Sequence, residues 1–96
     1  MNLEDAVRDI GQLPRKSVLY VPRDAASPGA TTEVLLVPSG ERAPEGWTYL
    51  LELWIAQEVL EVWSAWRDGR APTPAEAAEA VAHYAEYDAY LPAEEE

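Results

Sequence analysis

The chain has 96 residues, with 18 acids against 7 bases, one histidine and no cysteine, and a formal charge of −11. That length fits one domain, and the missing cysteine excludes disulfides, thiol nucleophiles and thiolate metal sites. The charge argues against direct contact with nucleic-acid phosphates or anionic lipid.

The acidity is uneven. Residues 1–48 carry five bases and seven acids, whereas residues 49–96 carry two bases and eleven acids. No apolar run approaches the roughly 20 residues that span a bilayer. The N-terminus is acidic and amphipathic, unlike a signal peptide, so a cytoplasmic location is expected.

Leu3, Ala6, Val7 and Ile10 share a helical stripe, with Asn2 as N-cap and Glu4 and Asp5 at the positive end. The spacing predicts a first helix over 3–10, closed by Gly11. Ser17 to Val21 is an apolar run stopped by Pro22 and reads as a strand. Residues 23–31 form a loop. Thr32 to Val37 reads as a second strand, closed by Pro38, and Pro38 to Gly46 as a second loop.

Residues 47–53 fit two templates. Trp47, Tyr49, Leu51 and Leu53 alternate as in a strand, but Trp47, Leu50, Leu51 and Trp54 also suit one long helix from Pro44. From Ile55 the helical period prevails, through Val59, Val62, Trp63 and Trp66, and Gly69 ends it. No Ser, Thr, Asp or Asn stands just before Ile55, so that junction lacks an ordinary cap. Thr73-Pro74-Ala75-Glu76 is a capping box with proline at the first helical position. It starts a helix whose apolar face is Ala77, Val81, Tyr84 and Ala85. The expected architecture is α+β: a short N-terminal helix, a small, mainly antiparallel three-stranded sheet, and two C-terminal helices packed on one face. One compact domain is expected over 1–91, followed by a frayed acidic tail over 92–96.

Little in the chain suggests catalysis. There is no glycine-rich phosphate loop, and no serine stands in a nucleophile-elbow context. His83 with Glu79 supplies two potential ligands, too few for a structural metal site. No enzyme activity, catalytic residue, metal or cofactor is assigned. Trp47, Trp54, Trp63 and Trp66 read either as core or, for Trp54 and Trp66, as protruding anchors. On the helical wheel Asp88 falls beside Val81 and Tyr84, on the face that should be buried. It would need a backbone N–H or an arginine such as Arg15 or Arg23 as partner. Glu76, Glu79, His83, Glu86, Tyr87 and Tyr90 fall on the opposite side. Carboxylates interleaved with tyrosines suit a cationic partner, so Glu76, Glu79, Glu86, Tyr87 and Tyr90 are the candidate partner-binding residues. A plain solvent-facing helix would present the same pattern.

Leu13-Pro14, the run Leu19 to Pro22, a tyrosine-bearing strand entering a helix at Tyr49, and the ending Tyr84-x-x-Tyr87-Asp88-Ala89-Tyr90 together resemble a family of small bacterial proteins. That family is found among the immunity proteins of polymorphic-toxin systems. The resemblance covers roughly residues 12–91. Members end in an aromatic, a polar step and Asp-Ala-Phe, where this chain has Tyr87-Asp88-Ala89-Tyr90. The resemblance implies a compact α+β domain that binds and neutralises a toxin. The expected partner is therefore a protein with a basic surface, and the expected function toxin neutralisation. An acidic nucleic-acid mimic of the phage type, blocking a DNA- or RNA-binding protein, is the alternative. A homodimer through the tryptophans is a third reading.

Overall fold

The computed structural model describes residues 1–25 and 27–92, so most of the acidic tail lies outside the described residues. The architecture is α+β as the sequence predicts. Helix α1 (Leu3–Arg8) and a 3-10 turn (Ile10–Gln12) precede strands β1 (Ser17–Pro22), β2 (Leu35–Pro38) and β3 (Trp47–Glu52). Helices α2 (Leu53–Ala65) and α3 (Pro74–Tyr87) follow. The sheet order is β2-β1-β3, and β1 is antiparallel to both neighbours.

Three boundaries differ from the sequence reading. Helix α1 stops at Arg8, and Gly11 lies inside the 3-10 turn rather than closing the helix. The chain tightens there because Gln12 and Leu13 donate to the carbonyls of Asp9 and Ile10, while Gln57 Nε2 holds the Ile10 carbonyl at 3.1 Å. Strand β2 begins at Leu35 rather than Thr32. The residues before it pair with the N-terminus instead: Leu3 N–H donates to the Thr32 carbonyl, Val34 N–H donates to the Met1 carbonyl, and Glu33 bridges Asn2. Residues 47–52 are strand, not the start of a long helix, and α2 begins two residues before Ile55.

Strand β3 does not keep its alternation. Tyr49 pairs with Tyr20 and Leu51 with Leu19, so Leu50 is an extra residue in a bulge. Leu50 and Leu51 are both buried, whereas Tyr49 points the other way, with Tyr20. The bulge is what separates Trp47 and Tyr49 from Leu51 and Leu53.

The helices pack on one face of the sheet. Leu19 and Val21 of β1 join Leu50, Leu51, Leu53, Val59, Trp63 and Val81 in the core. By register the opposite face carries Val18, Tyr20, Leu35, Val37, Trp47, Tyr49 and Glu52. Since β2 and β3 run parallel, the connection 39–46 must travel the length of the sheet and cross β1. Val37 is buried but stands outside the core cluster, and Ala43 is half-buried. On that face Val37 is covered, Tyr20 and Trp47 are half-buried, and Tyr49 stays 52% exposed.

Helix α2 ends at Ala65, but its closure reaches Gly69, whose N–H bonds the Ser64 carbonyl at 2.8 Å with φ at +82°. The capping box of α3 is formed as predicted. Glu76 N–H donates to Thr73 Oγ1 at 3.1 Å, and Thr73 N–H to Glu76 Oε1 at 3.0 Å. Replacing Thr73 by alanine is expected to lower stability by about 1 kcal/mol, read as a lower urea midpoint. An unchanged midpoint would remove the cap from the account. Arg70 grips the same carboxylate and, with the Thr73 N–H, holds the Glu76 carboxyl below its ordinary range. A lowered folded-state value means that its contribution is complete above the ordinary glutamate range and is lost as pH falls through the lowered value.

Candidate functional site

The candidate surface is built on the two C-terminal helices. One side of α3 buries Ala77, Ala78, Ala80 and Val81. The helical period therefore turns Glu79, Glu86 and Tyr87 outward, with His83 half-exposed between them. Tyr87 is 62% exposed, and its ring lies 4.7 Å from that of His83, one turn away. Glu76, at the head of the row, is engaged with Arg70 and the Thr73 cap.

Two residues do not lie where the helical wheel put them. Asp88 is exposed, not buried among Val81 and Tyr84. The helix stops at Tyr87, and Asp88 takes the left-handed conformation, φ 55°, with its N–H on the Tyr84 carbonyl at 2.7 Å. A wheel cannot be carried through a left-handed residue. Arg15, one of the two partners expected for Asp88, donates to Gln57 instead. Asp88→Gly should relieve the strain of that conformation and raise stability by about 0.5–1 kcal/mol. A urea midpoint that falls would show that the carboxylate, not the backbone, matters there.

Tyr90 is the second correction. After the turn at Asp88 the chain folds back, so Tyr90 leaves the Glu79–Glu86 row. Its ring packs 5.2 Å from Tyr84 and 5.8 Å from Trp66. Its hydroxyl donates to Glu58 Oε1 at 3.4 Å. Desolvation, then the Glu58 charge, raises the Tyr90 phenol above its ordinary value. Arg67 pins this return by donating to the carbonyls of Pro92, at 3.0 Å, and Leu91.

Both bases of the acidic half are thus turned to internal work. Arg67 binds main-chain carbonyls and lies 4.2 Å from the Trp63 ring centroid. Arg70 lies 4.7 Å from the same ring and pairs with Glu76. Among the described residues the ion pairs are Asp5–Arg8 and Arg70–Glu76. Glu58, Glu61, Glu79 and Glu86 therefore project negative charge without a basic neighbour in ion-pair contact. Trp66, 51% exposed at the end of α2, and Tyr87, 62% exposed on α3, are large rings presented by the same two helices. This arrangement can attract cations and bury aromatic area; among the described residues no three His, Asp or Glu side chains converge to hold a metal ion.

Sequence reasoning left a second cluster unseen. Tyr20 and Tyr49 meet edge to face at 6.4 Å, and the Trp54 indole N–H donates to Glu52 Oε1 at 3.0 Å. The available signal was β1 itself: a strand apolar on both sides asks for cover on both faces. No family model matches the chain, and no curated protein or solved structure matches it either. Among the described residues no helix is long and apolar enough to cross a membrane.

Proposed function

We propose that this chain is a cytoplasmic binding protein of the immunity type, which neutralises a bacterial toxin by covering its basic surface. The observation that carries the reading is the uncompensated acidity of the C-terminal helices. Glu58, Glu61, Glu79 and Glu86 face outward, while Arg67 is engaged with main-chain carbonyls and Arg70, itself exposed, is paired with Glu76. Carboxylates at a rim steer a basic partner, and Tyr87 and Trp66 supply the area that holds it. A toxin surface that normally meets phosphate has the complementary charge. The resemblance carried by Leu19 to Pro22 and by Tyr87-Asp88-Ala89-Tyr90 supports the same reading.

The test has two stages. Immobilised protein is used to capture partners from the source lysate at low salt, and the captured protein is then expressed with and without this chain. A basic protein that arrests growth alone and is tolerated in the presence of this chain is the expected result. A captured protein that is harmless alone, or whose toxicity is not relieved, would overturn the proposal. Capture of a non-toxic DNA- or RNA-binding protein would favour the nucleic-acid mimic instead.

A further inference from the structure

Glu52 occupies a position that local physics would assign differently. It is the N-cap residue of α2, with extended backbone, yet its side chain makes no bond to the helix N–H groups. Serine, threonine, aspartate or asparagine is the stabilising choice there. Instead the carboxylate turns aside to accept the indole N–H of Trp54 on one oxygen, and among the described residues the other oxygen has no hydrogen-bond partner. By register with Val18, Glu52 lies on the sheet face that the helices do not cover, the face of Tyr20 and Tyr49. Tyr49 and Trp54 are 52% and 41% exposed, and among the described residues no base lies within ion-pair distance of Glu52.

A carboxylate bonded to the Trp54 indole, and one register step along the same sheet face from the Tyr20–Tyr49 pair, has the chemistry of a clamp for a cationic side chain. The other oxygen meets the charge and the ring faces meet its flat or aliphatic part. The clamp also joins the surface described above. Tyr49 and Glu86 line one cavity of about 270 Å³, with Leu50, Ala82 and Ala85 as its apolar wall. A partner seated on Glu79 and Glu86 therefore reaches the β3 edge without leaving the surface.

We propose that the Glu52 carboxylate, with Tyr20, Tyr49 and Trp54, receives an arginine side chain from the protein partner. The local break with capping chemistry is expected of a functional position. Arginine suits the site better than lysine because its planar guanidinium stacks on rings while donating in plane to a carboxylate. The proposal rests on the reading of the chain as a binder of a basic protein, and adds a second contact with its own chemistry.

The probe is the peptide acetyl-Gly-Arg-Gly-amide, with its citrulline counterpart as the uncharged control, followed by NMR at the Trp54 indole N–H. The arginine peptide should shift that signal saturably, with a dissociation constant on the order of millimolar, and the citrulline peptide should bind roughly tenfold more weakly or not at all. Glu52→Ser should melt higher, by roughly 4–8 °C, because it gains a cap, and should lose the response. Glu52→Gln, which keeps an acceptor for Trp54, should lose it too. Equal binding of the two peptides, or an unchanged response in Glu52→Gln, would overturn the clamp. No peptide response in a protein that still relieves its toxic partner would overturn this site alone and leave the neutralising function standing.

Discussion

Trp63→Ala is expected to remove about half of the folding stability and to lower the urea midpoint accordingly. The ring is 4% exposed, on the buried face of α2, and removing a buried tryptophan typically costs about 3–5 kcal/mol. A domain of this length has only about 5–10 kcal/mol in total. The loss would not stop at the cavity. Arg67 and Arg70 both lie over that ring, and without it they lose the cation–π contact that helps hold them in place. Arg67 anchors the return of the chain at Leu91 and Pro92, and Arg70 braces the Glu76 cap, so the closure of α2, the start of α3 and the C-terminal turn all share this one side chain. Urea unfolding followed by far-UV circular dichroism measures the effect without relying on tryptophan emission. Trp54→Ala and Trp66→Ala are the comparison, since both rings are largely exposed and should cost well under Trp63→Ala. A Trp63→Ala midpoint no lower than theirs would show that the core does not depend on this ring.

That contrast marks how far the sequence could be read. The four tryptophans were indistinguishable by type, and spacing alone could not sort core from surface. Trp63 shares its face with Val59 and is buried, whereas Trp66, on the same expected stripe, follows the last regular turn of α2 and emerges. Local signals that involve neighbours were fully legible: the Thr73–Glu76 box, the strand ended by Pro22, the closure at Gly69. The expected sheet and helices on one face also stand. What escaped depends on contacts distant in sequence or on a break of period. The bulge at Leu50 flipped Tyr49 away from Leu51, and the left-handed Asp88 took Tyr90 off the row of glutamates and onto Trp66. Periodicity has no means of anticipating either. Within the candidate site, Glu79, Glu86 and Tyr87 were placed by period alone, because they lie inside an uninterrupted helix. Glu76 was placed as well, but its pairing with Arg70 needs the turn between α2 and α3.

With a captured partner in hand, Glu79→Lys/Glu86→Lys should slow association strongly while changing dissociation little. The two carboxylates are exposed and, among the described residues, have no ion-pair partner, so they act through the field they project rather than through desolvated contacts. The double reversal changes the local charge by four units on a surface where Arg67 and Arg70 are already occupied. Steering of this kind weakens as salt shortens the Debye length from about 10 Å at 0.1 M to about 3 Å at 1 M, so the wild-type association rate should fall steeply over that range and the variant's should hardly move. Tyr87→Ala should behave in the opposite way. Its ring lies beside the acids and has area to bury, so its loss should appear in the dissociation rate at every salt concentration. Far-UV circular dichroism of each variant must match the wild type, since these side chains lie outside the core. Stopped-flow or surface-plasmon measurements at several ionic strengths separate the rates. An association rate indifferent both to salt and to the double reversal would place the contact elsewhere. The β3 face, with Tyr49, Trp54 and Glu52, would then carry the interface by itself, and Tyr49→Ala would become the variant with the larger effect on dissociation.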